Sequence, residues 1–361
     1  MTALPNFDVW DQATLTDVIT KPMPGSVGFG TTGDSLGNRI APLVPHPSRL
    51  AKVRVTEMQA VNQLAQLRAP NADPMLVSFK GEQYLEEILE MVLLDEMHRI
   101  MEEDYMKLSS PDENIARSAG KSIIDRGNEL RIRNEKRTEW MRWQAFQGEM
   151  TLTYPTGSPI YINYGLPAGH KPTVTTLWSN TTTADPIADI EAWSNKLADD
   201  SGFPAKFLHM TSKTYRYLVE NKAIRDSINF NSPQAANLLR PRRTDIDELM
   251  TIFSQDVEIV IYDDGYRDET SSGYGYTSLN RYLPDGKVLV TTDYVLNGVR
   301  IADVLDGQVT VSAGFDNLAV KQGEQASVMV DHRSHTYFLR YASARIPRLL
   351  IPEAFLWATV A

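Results

Sequence analysis

The sequence predicts an α+β protein of two modules, with one very long helix as a strut lying across a flat subunit. Three observations carry this. Ser110 to Gly148 reads as an unbroken helix. A Pro/Gly-turned hairpin follows it, Thr151 to Tyr164. From Asp185 onward, helical stretches alternate with β-branched strands. A chain of 361 residues is too long for one compact core, so two domains plus extensions are expected.

Ser110 suits an N-cap, Pro111 the first helical position, and Glu113 completes a capping box. Gly148 is a natural stop. About 37 residues at about 1.5 Å each span roughly 55 Å, more than an ordinary domain is wide. Ile115, Ala119, Ile123, Ile124, Leu130, Met141 and Ala145 give one face that packs. That stripe is too sparse for a heptad coiled coil. The remaining face is charged, Arg131, Glu139 and Arg142 included, and is expected to meet solvent or neighbouring copies.

Hydrophobic residues make up 42% and charged residues 23%, as in a folded soluble protein. The net charge of −10, without a basic patch, argues against tight nucleic-acid binding, which displaces counterions with clustered Lys and Arg. It leaves open a protein that only surrounds nucleic acid. With no cysteine there is no disulfide framework and no thiolate chemistry. The N-terminus has no basic segment followed by an apolar one, and no run reaches the ~20 apolar residues of a membrane helix. A cytoplasmic site of synthesis and use is expected.

Taken in order, Met1 to Pro47 is rich in proline and glycine and reads as an extended arm, with one short helical segment at Thr14 to Ile19. Phe7, Trp10, Ile19, Phe29, Ile40 and Val44 make it too apolar for a free tail. Leu50 to Gly81 reads as a projecting hairpin or loop, although NQLAQL could be helical. Glu82 to Lys107 is expected to be an acidic helix packing through Leu85, Ile88, Leu89, Val92, Leu93 and Met97. After the strut and hairpin, residues 166–184 form a polar connection. Asp185 then caps a helix opened by Pro186 and closed at Gly202. A strand follows at Lys206 to Met210, and a helix from Ser212 to Val219. Thr244 to Phe253 reads as helix and Val257 to Tyr262 as strand. The turn Leu283 to Gly286 leads into the strand Lys287 to Thr291. The tail, Thr336 to Val360, is strand-like and expected to pack back on the first domain.

Few groups suggest chemistry. Gly28-Phe-Gly-Thr-Thr-Gly33 has dinucleotide-fingerprint spacing, but KPMPGS precedes it and DSLGN follows, where the motif needs a strand and a helix. It reads as a linker. Asp263, Asp264, Asp268 and Glu269 follow a strand, without the alternation of a calcium loop, and read as a solvated loop. His332 and His335 lack a third ligand nearby. His209 reads as a packed histidine and Asp199-Asp200 as a solvated helix end. Arg240-Pro-Arg-Arg243 reads as a salt-bridged knot. No hydrolase elbow, Walker loop or zinc pattern appears, so no catalytic, cofactor or metal residue is assigned.

Several stretches together resemble a family. They are Glu135 to Leu152 (EKRTEWMRWQAFQGEMTL), the hairpin, Asp185 to Trp193 (DPIADIEAW), Ser201 to Ile224, Val257 to Tyr266 (VEIVIYDDGY), Tyr282 to Val290 (YLPDGKVLV) and the closing LIPEAFLWATVA. In this order they look like the tailed-phage major capsid proteins of the lambda major head protein family (major capsid protein E), which have the Hong Kong 97-type fold. The likeness covers roughly residues 110 to 361; the first hundred residues match only in character.

The resemblance implies an N-terminal arm at 1–48 and an extended loop at 49–81. It implies a peripheral domain at 82–184 with its spine helix at 111–147, an axial domain at 185–335, and a return to the peripheral domain at 336–361. It further implies a non-enzymatic subunit, without cofactor, forming pentamers and hexamers of an icosahedral shell around double-stranded DNA. Portal, scaffolding and decoration proteins are implied partners, and the virion, assembled in the host cytoplasm, is the implied location. No scaffolding region precedes the arm, so any scaffold is expected to be a separate protein. Nothing marks the lysine, asparagine and glutamate of an isopeptide cross-link. The competing readings are an encapsulin-like compartment and, in a different class, a nucleotide- or metal-dependent enzyme.

Overall fold

The computed structural model describes residues 35–52, 88–108, 110–153, 159–231, 257–267, 278–312, 318–331 and 336–361. Phe7, Trp10, Ile19, Phe29, Gly28 to Gly33, most of 49–81, Arg240 to Arg243, Thr244 to Phe253, Asp268, Glu269, His332 and His335 lie outside them.

The helices are α1 (Leu36–Ile40), α2 (Glu102–Leu108), α3 (Glu113–Phe146), α4 (Pro186–Ser201), α5 (Ser212–Glu220) and α6 (Lys222–Asn231). The strands are β1 (Leu43–Pro45), β2 (Leu50–Lys52), β3 (Ile88–Glu90), β4 (Val92–Ile100), β5 (Glu149–Leu152), β6 (Ile160–Asn163), β7 (Phe207–Met210), β8 (Glu258–Ile261), β9 (Gly265–Tyr266), β10 (Asn280–Arg281), β11 (Lys287–Thr291), β12 (Val295–Leu296) and β13 (Val299–Arg300). The later ones are β14 (Ala302–Asp306), β15 (Gln308–Ser312), β16 (Leu318–Gln322), β17 (Gln325–Asp331), β18 (Thr336–Leu349) and β19 (Phe355–Thr359). Two compact units result. Of the described residues, one takes those within 35–52, 88–142 and 303–348, and the other those within 143–302 and 349–361.

In the first unit, β18 is the shared strand. It pairs antiparallel with β4 on one side, from Val92 opposite Arg345 to Ile100 opposite Tyr337. On the other side it pairs with β17, from Gln325 opposite Ala342 to Asp331 opposite Thr336. β14 and then β1 extend this sheet, β1 and β14 being parallel. Ile123 and Leu130 of α3 pack on Leu339, Tyr341 and Ala326.

The expected helix from Glu82 to Lys107 is corrected. Among its described residues only Glu102–Leu108 is helical; β3 and β4 precede it. Burial in β4 alternates, with Val92 buried and Leu93, Asp95, Met97 and Arg99 exposed. Val92-Leu93-Leu94 fits either period, and the ladder offered by the 14-residue β18 decides between them. The arm needs correction too: its end is not extended but forms α1, capped by Ser35, with Leu36 and Ile40 buried.

The long helix stands as expected, 34 residues ending before Gly148, whose φ is 85°. Its start differs. Asp112, not Ser110, takes the capping place: its Oδ1 accepts from the Asn114 amide at 2.9 Å and its carbonyl from the Ala116 amide. Ala119, Ile123, Leu130, Met141 and Ala145 are buried, while Ile115 is exposed. The charged face is not all solvated, because Arg131, Glu139 and Arg142 are buried.

The second unit is built on the sheet β19-β11-β7-β8. β7 and β8 are parallel; the other two pairings are antiparallel. Val288, Val290, Leu208, Met210, Leu356 and Ala358 share a core with Ile190, Trp193 and Leu197 of α4. Asp185 caps α4 by accepting from the Ala188 amide, and Gly202 ends it at φ 80°. Only glycine adopts that φ without strain, which is why this stop was legible. The hairpin β5–β6 is present, with Glu149 opposite Asn163 and Leu152 opposite Ile160.

Residues 166–184 are not a polar connection. Val174 and Trp178 are buried in the core of this unit. The tail also divides: β18 lies mostly in the first unit, whereas β19 pairs with β11 in the second. By their contacts, the two units divide near 142, 302 and 348.

Candidate functional site

Among the described residues, no three His, Asp, Glu or Cys side chains converge as a metal site. No helix there is long and apolar enough to cross a membrane. The loop carboxylates are engaged in structure. Asp263 accepts from the Ser212 amide at 3.0 Å and from its hydroxyl, fixing the start of α5. Asp264 accepts from the Gly265 amide. His209 is a packed histidine: it is fully buried, with Nε2 3.3 Å from Thr291 Oγ1. Phe207 and Tyr294 lie stacked beside it.

What the fold concentrates instead is buried charge. On α3, Glu139 and Arg142 lie one turn apart, joined at 3.0 Å. Glu139 accepts from the Gly37 amide and the Ser35 hydroxyl, both at 2.9 Å. Arg142 donates to the Ala41 carbonyl and to Asn38 Oδ1, also at 2.9 Å. Four polar groups around α1 thus end on two side chains of one helix. A Cβ on Gly37 would collide with the Glu139 carboxylate, so a larger residue there would force that side chain out of its place.

A second network surrounds Arg345, which is fully buried in β18. Its guanidinium reaches Glu135 of α3 at 3.1 Å, Glu324 at 2.9 Å and Asp306 of β14 at 3.4 Å. It also donates to Thr138 Oγ1 at 3.1 Å. The Tyr341 hydroxyl donates to Glu324. One cation thus serves three carboxylates from three separate segments. Burial works against the charge on Arg345, but Glu135, Asp306 and Glu324 outweigh it and hold its pKa above the ordinary range. Burial pushes the Asp306 carboxyl up; Arg345 opposes this, and Glu324 and Glu135 add to it. Nearby, Arg348 grips Asp303 through two bonds of 3.0 and 2.7 Å.

The third feature is a strap, residues 170–178, along the edge of β19 not used by β11. Trp357 and Thr359 donate their amides to the His170 and Pro172 carbonyls at 2.8 Å. Val174 and Trp178 donate back to Thr359 and Val360 at 3.1 and 2.7 Å. Both strap ends are pinned to α4. The Trp178 indole donates to Asp189 at 2.9 Å and its ring stacks on Trp193. The buried His170 ring lies 2.6 Å from the Phe355 carbonyl and 2.7 Å from Asp200 Oδ2. Asp200 also holds Lys196 at 2.7 Å. Asp199 and Asp200 both lie exposed at this helix end, as expected, and Asp200 in addition holds these two partners. A bond from Lys196 chiefly lowers the Asp200 pKa, with His170 assisting against burial.

These groups were missed because their partners are remote in sequence. One signal was available: Glu139 and Arg142 are embedded among Trp140, Met141 and Trp143. The exposed surface also carries large apolar side chains. Met97, Met101 and Met106 are each more than half exposed, as are Tyr161 of the hairpin and Val320. Buried polar locks and scattered exposed apolar groups are features of a framework.

Comparison with known proteins agrees. The profile of the family described as phage major capsid protein E matches residues 43–309. No curated protein matches the sequence. Among solved structures, the chain is similar to a phage-related protein of Bordetella bronchiseptica RB50, with 12% identity and a TM-score of 0.53 over 98% of this chain and 97% of that one. It is also similar to a protein assigned as a prophage capsid protein, from E. coli CFT073. Here identity is 13% and the TM-score 0.56, over 97% of this chain and 99% of that one.

Proposed function

This chain belongs to the phage major capsid protein E family, as a structural subunit of the phage head with the Hong Kong 97-type fold, and on that premise we propose how it builds its shell. Copies join as pentamers and hexamers into an icosahedral shell around the double-stranded DNA genome of a tailed phage. Residues 1–48 act as the N-terminal arm and 49–81 as the extended loop. The unit carrying most of α3 takes the peripheral role, and the unit built on β19-β11-β7-β8 the axial role. The subunit catalyses nothing. Portal, scaffolding and decoration proteins are its partners, and assembly takes place in the host cytoplasm.

The observation that carries this reading is the family match across residues 43–309. The buried locks support it. A shell subunit must stay rigid while only its surface meets many copies, and buried, fully bonded polar groups give that rigidity. The net charge of −10 supports containment of DNA over adhesion to it.

The test is particle formation. Purified full-length chain under assembly conditions should give rings or closed shells by negative-stain electron microscopy and light scattering. A small closed oligomer under all conditions would overturn the proposal. Duplex DNA should bind only weakly at moderate salt. Deleting residues 1–47 should remove large particles while leaving helicity by circular dichroism intact.

A further inference from the structure

The His170 ring has two neighbours in hydrogen-bonding range, the Phe355 carbonyl at Nδ1 and the Asp200 carboxylate at Nε2. Both can only accept. Both ring nitrogens must therefore carry protons for both bonds to exist, which makes the ring an imidazolium. A neutral ring would turn a lone pair on one of these oxygens, inside a site with no exposed ring surface.

The other end of the strap is held differently. The Trp178 indole N–H donates to Asp189 and does not titrate. The four backbone bonds to β19 lie between a permanent anchor and a conditional one.

We propose that residues 170–178 form a proton-operated strap on β19: charged His170 clamps its N-terminal end to α4 and β19, and loss of the proton frees that end while Trp178 stays fixed. The charged groups around the ring are Asp200 and Lys196 of α4, with Lys171 of the strap paired to Glu149 of β5. From the β19 side the ring meets an uncharged carbonyl. Asp200 Oδ2 is shared between the His170 ring and Lys196, each at 2.7 Å. Opening uncovers one edge of β19, whose remaining partner is β11. An uncovered edge is a pairing surface, so the proton controls whether this strand can be reached.

The test follows His170 and its amides together in the full-length protein. Ring signals are titrated by NMR from about pH 5 to about pH 8.5, with amide exchange corrected for intrinsic rates. Protection of the Trp357 and Thr359 amides should fall about tenfold or more, with the midpoint of the His170 titration, while the Trp178 amide keeps its protection. Asp200→Asn supplies an amide able to donate to a neutral ring, so its protection should no longer depend on pH. His170→Phe should show low protection at every pH. Protection that stays flat through the wild-type titration would overturn the proposal. So would an opening that starts at Trp178, or a pH dependence surviving in Asp200→Asn. None of these readings requires shells to form, so failure here is distinct from failure of the capsid assignment.

Discussion

Glu139 and Arg142 form an ion pair of 3.0 Å on α3 that is almost wholly removed from solvent, and both also hold α1. Their value lies in completeness, since each charge meets its partner and backbone groups as well. Removing either one leaves the other buried and uncompensated. Glu139→Ala and Arg142→Ala should each cost about 3–5 kcal/mol. The double variant should cost less than their sum. Urea unfolding of the three variants checks this, and independent additive losses would show that the two side chains do not act as a pair.

Asp306 supplies a pH dependence whose sign is fixed. Burial raises its folded pKa above the unfolded value of about 3.9, so its contribution is fully present below that value and lost as pH rises through the raised one. Asp306→Asn removes that slope and leaves Arg345 with Glu135 and Glu324. Relative to the parent, the variant should therefore gain melting temperature between pH 4 and pH 7. A relative loss over that interval would contradict the argument.

Tyr164 is buried, and among the described residues its hydroxyl has no hydrogen-bond partner. A buried hydroxyl without a partner costs stability. Tyr164→Phe should be neutral or stabilising by up to about 1 kcal/mol. A clear drop in stability would point to a bound water on that oxygen.

Trp178→Phe keeps an aromatic ring against Trp193 but removes the donor to Asp189. Burial already raises the Asp189 pKa, and the indole bond opposes this. The variant should lose about 1–2 kcal/mol, and its Asp189 carboxyl should titrate at higher pH. Carbon-detected NMR of that carboxyl reads the shift.

Local signals were read well from sequence where the determinant is local. Asp185, Pro186 and Gly202 bound α4 because a cap, a fixed φ and a left-handed stop act within a few residues. The turn at Gly286 before β11 is of the same kind. β4 was misread because its identity depends on β18, which lies far along the chain. The strap was read as a mere connection because its hydrogen bonds end on β19, nearly two hundred residues later (His170 and Phe355 are 185 apart). The buried networks were illegible for that reason too. Arg345 looks like any strand arginine until Glu135, Asp306 and Glu324 are brought around it.

The pairing of β4 with β18 also sets a clock. Asp95 meets Arg340 across 245 residues of chain. At translation rates of about 5–20 residues per second, β4 waits on the order of tens of seconds before its partner is made. Until then its ladder groups are unpaired and α3 lacks the apolar floor formed by Leu339 and Tyr341. Closing so long a loop is entropically costly and comes late in folding. A nascent chain therefore cannot present the finished first unit to another copy, and assembly is restricted to subunits whose synthesis has passed β18.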